Sequence, residues 1–377
     1  MRSATSSFDP FRKRCRTRRT TRCMNPVLTK QQLLRWLRED DPNELEALWK
    51  WANEIRRGFV GDSVHLRGLV EISNHCTRSC LYCGLRAANK QVQRYRMSQE
   101  EILDAARHAR SFGYGTVVLQ GGEDPLLTGP WVADVVRTIK QETGLAVTLS
   151  LGERSVDDLV LWRESGADRY LLRFETSNRE LFDAIHPSAP GRRSDRVALL
   201  CAIQSLGYEA GGGFMVGLPG QTWESVADDL LLCARLDLDM IGIGPYLPHP
   251  NTPLGSHGRP NGIPDAAEAQ VPNTALTTYK AVSLARILCP EANIPSTTAL
   301  ATINPVNGRE LGLARGGNVL MPNLTPQGWR KHYEIYPDKA CIHESSLQCN
   351  HCMTGRIQLL GRCIGKGQGG RNHRDTR

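Results

Sequence analysis

Residues 65–83 read His65-Leu-Arg-Gly-Leu-Val-Glu-Ile-Ser73-Asn-His-Cys76-Thr-Arg-Ser-Cys80-Leu-Tyr-Cys83. A strand-like run ends directly in three closely spaced cysteines. Seven more β-like segments follow, at 115–121, 145–151, 168–176, 209–217, 239–246, 293–298 and 318–321, with helical patterns or long connections between them. The first intervening helix carries a capping box, Ser98 with Glu101 three residues on; Ile102, Leu103, Ala106, Ala109 and Phe112 share one face, and Gly113 stops it. Further helices begin at Ser155, Ser194, Thr222 and Leu276. Strand–helix alternation calls for a parallel sheet, and eight strands predict a closed (β/α)8 TIM barrel, an α/β fold. The cysteines then sit in the loop after the first strand, where barrel chemistry is carried.

Around residues 61–325 the pattern predicts a helical cap at 25–60 and a C-terminal extension at 326–362. It also predicts a basic, disordered tail at 363–377. The loop at 249–274, rich in Pro, Gly and Asn, is expected on the active-site face.

The net charge of +8 is concentrated at the ends. Residues 1–24 hold seven arginines and Lys13 against Asp9, a net of +7. The tail from Cys363 holds Lys366, Arg371, Arg374 and Arg377 against Asp375, a net of +3, which leaves −2 for residues 25–362. The body is therefore not a basic nucleic-acid binder. The arm fits a disordered tail, an organelle transit peptide, or a translated leader with Met24 the true start; the last is favoured because amphipathic order begins just after Met24. No membrane span or secretion signal is evident. Clustered rather than framework cysteines point to metal in a reducing, cytoplasmic setting, or an organelle if the arm is a transit peptide. Cys201, Cys233 and Cys289 lie singly in apolar patterns and read as small core residues.

Three thiolates on one short loop can wrap a 4Fe–4S cubane and leave one iron open to a chelating small molecule. A zinc site, with His75 supplying a fourth ligand, is the alternative. Structural zinc more usually takes paired C-x2-C units than C-x3-C-x2-C.

The spacing C-x3-C-x-aromatic-C resembles the signature of the radical S-adenosylmethionine superfamily. The resemblance implies that Cys76, Cys80 and Cys83 carry the catalytic cluster, and that S-adenosylmethionine occupies the open iron and is reductively cleaved to a 5′-deoxyadenosyl radical. It implies that Tyr82 lies beside the adenine. Gln120-Gly121-Gly122-Glu123-Asp124 looks like the superfamily element for the methionine amine; glycines there permit close backbone approach, and an ordinary βα turn is the alternative. By the same resemblance Glu175 binds the ribose or methionine part and Arg196 the carboxylate, with Arg192 and Arg193 as competing arginines. Met240 is a candidate to flank the adenine, or equally core packing.

The resemblance extends further. Cys80-Leu-Tyr-Cys-Gly-Leu-Arg86, Val118-Leu-Gln-Gly-Gly-Glu-Asp-Pro125, Met215-Val-Gly-Leu-Pro-Gly-Gln-Thr222, Asp239-Met-Ile-Gly-Ile-Gly-Pro245, Ile294-Pro-Ser-Thr-Thr-Ala299, Asn318-Val-Leu-Met-Pro-Asn323 and Tyr333-Glu-Ile-Tyr-Pro337 are similar to the HydE-type maturases of iron–iron hydrogenase. This implies a small, cysteine-derived iron carbonyl/cyanide complex as substrate, processed for the enzyme's di-iron subcluster. It also implies a reductant such as ferredoxin or flavodoxin, a partner enzyme that makes the iron complex, and a GTPase scaffold that receives the product. An anionic substrate would need inward cations and hydroxyls: Arg173, Thr148, Ser150, Thr297, Thr298, Tyr333 and Tyr336 have that chemistry, although backbone can satisfy each hydroxyl. Alternation puts Arg173 and Glu175 on one strand face. Cys341, Cys349 and Cys352 fit an accessory site for a second iron–sulfur cluster, or for zinc with His343 or His351.

A methylornithine synthase (lysine mutase) is the nearest rival. Biotin synthase is disfavoured because no later strand carries the cysteine that its in-barrel cluster needs. A zinc-stabilised protein using the Arg-rich arm on RNA is a remote rival.

Overall fold

The computed structural model describes residues 28–188, 193–256, 260 and 262–371. The basic arm at 1–24, Arg192 and the tail beyond Arg371 lie outside the described residues.

Two helices come first. Thr29 opens α1 (Lys30–Arg38) with a capping box, and Asp41 caps α2 (Pro42–Val60), so the predicted cap is a helix pair broken at Asp40–Asp41. Then follow β1 (Ser63–Ser73), α3 (Gln99–Ser111), β2 (Thr116–Gly121), α4 (Gly129–Thr143), β3 (Ala146–Ser150), α5 (Val156–Glu164), β4 (Arg169–Leu171), α6 (Arg179–Ile185), α7 (Arg196–Ser205) and β5 (Glu209–Val216). The second half holds α8 (Trp223–Arg235), β6 (Met240–Pro245), α9 (Pro253–Ser256), α10 (Ala275–Leu288), α11 (Thr298–Ile303), α12 (Gly308–Ala314), β7 (Val319–Leu320), α13 (Gln327–Arg330), α14 (Ser346–Leu359) and β8 (Cys363–Ile364). The Ser98–Glu101 capping box starts α3 as its sequence dictates.

All strand pairings are parallel, in the order β6-β5-β4-β3-β2-β1-β7. The predicted seventh strand does not form a ladder. Residues 293–296 close the ring instead: Ile241 N–H donates to Asn293 O, and Ser296 N–H to Val319 O. Pro295 brings no N–H, which limits this segment to isolated bridges. The fold is thus an α/β, TIM-barrel-like parallel sheet wrapped by helices. Its main apolar core lies between strands and helices, built of residues such as Leu33, Leu48, Val70, Val117, Val147, Trp162, Ile241 and Leu284. A second cluster of Leu181, Ile185, Met215, Leu218, Tyr246, Leu254 and Ile263 sits above the strand ends, with Leu81 and Tyr82 against it.

The tail is ordered as far as Arg371, contrary to the expectation of disorder from Cys363. β8 pairs with the start of β1, and the chain then crosses the N-terminal mouth of the barrel. There Gln368 O accepts from Thr116 and Arg169, Gly369 O accepts from Arg67, and Arg371 pairs with Asp237, Asp239 and Glu291. Arg67 and Arg169 are buried and need those carbonyl acceptors. Among the described residues, no helix is long and apolar enough to cross a membrane.

Candidate active site

β1 ends at Ser73, and the next residues turn across the C-terminal mouth of the barrel. The thiol-bearing loop is fixed by backbone bonds from several elements: Thr77 N–H to Glu123 O (3.1 Å), Leu81 N–H to Ile185 O (2.8 Å), Leu254 N–H to Leu81 O (3.1 Å) and Gly84 N–H to Ile335 O (3.1 Å). Arg94 staples it from below, donating to the carbonyls of Asn74, Leu85, Arg86 and Asn89. Gly122 comes so close that a Cβ would run into the His75 carbonyl and Cys76 Cβ.

Cys76, Cys80 and Cys83 are unbonded thiols, and burial is the largest influence raising all three pKa values. As free thiols they are poor nucleophiles; ligation to metal is what deprotonates such groups. A tetrahedral zinc ion would hold its sulfurs roughly 3.8 Å apart. Among the described residues, the His, Cys, Asp and Glu trio whose ligand atoms all lie within 4.8 Å of one another is Glu123, Glu153 and His186, not the thiols. A wider cubane therefore suits the thiol trio better than a single ion, and three donors leave one of its corners open.

Facing the loop are the ends of β2, β3 and β4. Glu123 follows Gly122, and its Oε1 accepts from Glu153 N–H at 3.0 Å. Glu175 sits at φ 65°, a left-handed conformation uncommon for a non-glycine residue, yet its N–H still reaches Gly213 O on β5. Its Oε2 is buried without a hydrogen-bond partner, an acceptor available to a ligand hydroxyl. Arg196, the first residue of α7, points inward: Nε donates to Glu153 Oε1 (3.1 Å), Nη1 to Arg173 O (2.8 Å), and Glu175 Oε1 lies 3.5 Å away. Arg193 turns outward to Asp183, at 3.2 Å. Of the two described candidates, Arg196 is thus the one in the pocket. Tyr82 is half-buried against the second apolar cluster, and desolvation raises its hydroxyl pKa.

Met240 is displaced from the expected place. It opens β6 at the N-terminal end of the barrel, paired with Gly211 and 2.9 Å from Arg67 Nη1. Its sulfur packs at the closed end, away from the thiol loop. At the C-terminal end, Met215 on β5 occupies the apolar cluster beside Tyr82.

The expected substrate residues divide. Thr148 projects a buried hydroxyl with no hydrogen-bond partner. Arg173 reaches Glu175 Oε2 at 3.5 Å and passes Gly242, whose missing side chain leaves room. Ser150 closes β3 beside Gln120, and Gln120 Nε2 donates to Tyr333 OH at 3.3 Å. Tyr336 has its hydroxyl raised by burial, with Thr302 as a partner. The Thr297 hydroxyl accepts Leu300 N–H as the cap of α11, so backbone satisfies it. Thr298 lines a cavity of about 10 Å³ shared with Asn323, Lys339, Cys341 and Cys349.

Four side chains in or beside the site were not foreseen: Arg78, Glu153, His186 and Lys339. Glu153 had a readable signal, since it follows the end of a predicted strand. The others carry no spacing that marks them.

In the extension, each accessory thiol meets a different arginine. Arg309 Nη2 lies 3.4 Å from Cys341 Sγ, Arg330 Nη1 3.9 Å from Cys349 Sγ, and Arg356 Nε 3.3 Å from Cys352 Sγ. A hydrogen bond from Cys349, aided by Arg309, draws the Cys341 thiol below its ordinary pKa. Among the described residues neither His343 nor His351 joins these thiols in a close metal-binding set.

The Radical SAM superfamily profile matches residues 70–233. The chain is 47% identical over 343 residues to the [FeFe] hydrogenase maturase subunit HydE of Thermotoga maritima, covering 91% of this chain and 94% of that protein. It is 27% identical over 285 residues to 3-methylornithine synthase of Methanosarcina acetivorans, covering 74% and 75%. Among solved structures, methylornithine synthase (PylB) superposes with a TM-score of 0.74 at 23% identity, over 90% of this chain and 94% of the other.

Proposed function

Because the chain belongs to the radical S-adenosylmethionine superfamily and, within it, to the HydE family of [FeFe]-hydrogenase maturases, we propose that it processes a small cysteine-derived iron complex during assembly of that hydrogenase's di-iron subsite. It is a radical S-adenosylmethionine enzyme, and its cofactors are a 4Fe–4S cluster and S-adenosylmethionine. When bound, these supply a one-electron reductive cleavage that yields a 5′-deoxyadenosyl radical.

The chain's own residues do the rest. Cys76, Cys80 and Cys83 hold the cluster, in a loop whose carbonyls and glycine contacts leave it little freedom. Glu123 takes the cofactor's amine, Arg196 its carboxylate, and Glu175 a ribose hydroxyl, through an Oε2 that makes no hydrogen bond and has Arg173 at 3.5 Å. Gly121 and Gly122 keep the backbone close, and Tyr82 with Met215 forms an apolar wall for the adenine. Arg173 and Thr148 offer an anionic substrate a cation and a free hydroxyl. Ser150, Thr297, Thr298, Tyr333 and Tyr336 line the approach, Thr297 through its position rather than its capped hydroxyl. Cys341, Cys349 and Cys352 are an accessory cluster site, and their three arginines favour an anionic iron–sulfur group over zinc. A ferredoxin or flavodoxin supplies electrons in the cytoplasm, and the enzyme works beside the maturases that make the iron complex and receive the product.

The observation that carries this reading is the thiol trio on the loop after β1, facing Glu123, Glu175 and Arg196 from three other elements. Similarity to 3-methylornithine synthase keeps a lysine mutase as the second reading. Anaerobic turnover decides: the iron–cysteine complex should support adenosyl transfer or radical formation while lysine is inert. The reverse result establishes the mutase.

A further inference from the structure

His186 ends α6 fully buried, and nothing above uses it. Its Nδ1 lies 3.1 Å from Arg78 Nη2, and its Nε2 lies 2.6 Å from Arg196 Nη2. The ring plane is fixed by stacking on Phe182, with centroids 4.9 Å apart. Burial first, then the two guanidinium charges, press its pKa down to about 2, so the ring is neutral. A neutral imidazole has one N–H and one lone pair, whereas a guanidinium offers only N–H groups. One of the two contacts therefore sets donor against donor. The pocket is short of one acceptor.

A metal ion does not supply what is missing. Glu123, Glu153 and His186 would suit a divalent cation by composition. However, Arg196 Nε and Arg78 Nη2 stand 3.1 Å and 3.7 Å from Glu153 Oε1, and Arg78 Nε stands 3.7 Å from Glu123 Oε2. The cationic positions are filled. What fits is an anionic oxygen.

The bonds of Arg196 show where it would enter. Its contacts to Glu153 and Arg173 O are short, while those to Glu175 Oε1 at 3.5 Å and Glu123 Oε1 at 4.0 Å are long. Arg78 Nε is buried with no hydrogen-bond partner. Both guanidiniums thus keep capacity on the side facing the carboxylates.

We propose that His186 is a positioning residue whose Nε2 lone pair accepts from Arg196, on α7, and holds that guanidinium ready for the carboxylate of the cofactor's amino-acid end, while its Nδ1 side packs against Arg78 on the thiol loop. This rests on the reading of the site given above. Because Arg78 lies between Cys76 and Cys80, carboxylate binding at Arg196 is transmitted through the imidazole to the loop that carries the cluster.

The test measures binding of S-adenosylmethionine and of 5′-methylthioadenosine, which lacks the amino-acid end, to the reconstituted protein. His186→Phe, His186→Gln and His186→Asn are compared with wild type. A Gln amide reaches the Nε2 position and an Asn amide the Nδ1 position. His186→Phe should weaken S-adenosylmethionine by about ten-fold and leave 5′-methylthioadenosine nearly unchanged. It should also lose the change that S-adenosylmethionine produces in the reduced cluster's electron paramagnetic resonance spectrum. His186→Gln should recover most of the affinity. Equal loss of both ligands in His186→Phe, loss of neither, or better recovery by Asn than by Gln overturns the proposal. A wild-type protein that holds iron and binds 5′-methylthioadenosine but not S-adenosylmethionine also overturns it. Wild type without iron, or binding neither ligand, overturns the reading of the site itself.

Discussion

Lys339, on the extension after α13, buries its ammonium against the Glu71 carboxylate on β1, and both side chains are sealed from solvent. The Tyr333 ring lies 5.1 Å from the same ammonium, and Asn323 Nδ2 donates to the other Glu71 oxygen at 3.0 Å. One ion pair thus ties the extension bearing Tyr333 and Tyr336 to the strand that leads into the thiol loop. Replacing Lys339 with Met leaves Glu71 charged, buried and unpaired, and should cost about 3–5 kcal/mol in urea unfolding. Lys339→Met with Glu71→Gln should recover much of that loss; a double variant no more stable than the single contradicts the account.

Asp124 supplies a pH signature. Burial raises its pKa, but bonds from Arg96, Ser73 and the Leu126 N–H outweigh that and hold it below the ordinary 3.8. The folded state therefore binds the proton less readily than the unfolded state. Its stabilisation is fully present above pH 3.8 and is lost as pH falls through the depressed folded value. Asp124→Asn should lower stability at neutral pH and flatten the acid limb of a stability–pH curve. An acid limb as steep as that of wild type contradicts this.

Gly122 tests the packing of the loop. Gly122→Ala would press a methyl into the His75 carbonyl and the Cys76 side chain. We expect iron incorporation to fall several-fold while circular dichroism of the barrel is preserved. Full iron loading in this variant shows that the loop can shift freely.

The accessory thiols should be separable from the radical chemistry. Replacing Cys341, Cys349 and Cys352 with Ala should remove any iron beyond one cluster per chain and leave S-adenosylmethionine cleavage intact. Loss of cleavage in a well-folded variant refutes the separation.

Removing residues 363–377 should destabilise the barrel, because Arg67 and Arg169 exchange the carbonyls of Gly369 and Gln368 for water, at roughly 0.5–1.5 kcal/mol for each hydrogen bond lost. Thermal unfolding reads this directly, and an unchanged midpoint contradicts it.

The barrel was legible where local signals and periodicity agreed, as in α3, whose capping box, apolar stripe and glycine stop all point to one helix. The seventh strand failed because Pro295, inside the expected run, brings no N–H to a ladder, a signal that the sequence itself carries. Met240 was misplaced because a residue that opens a parallel strand lies at the end opposite the chemistry. The tail's basic composition read as disorder, whereas the carbonyls of Gln368 and Gly369 serve Arg169 and Arg67, distant in sequence. Among site residues, the three thiols, Glu123, Glu175 and Arg196 could be found at strand ends or by resemblance. Arg78, His186 and Lys339 could not, since their roles arise from side chains brought together only by the folded loops.

The most direct test of the central claim is the iron, sulfide and 5′-deoxyadenosine content of anaerobically reconstituted, dithionite-reduced protein given S-adenosylmethionine. The Cys341, Cys349 and Cys352 to Ala background is used, with and without Cys80→Ala. The account predicts one 4Fe–4S cluster and 5′-deoxyadenosine in the parent, and neither in the Cys80 variant. An intact cluster after Cys80 is removed, or a fully loaded parent that leaves S-adenosylmethionine uncleaved, contradicts it.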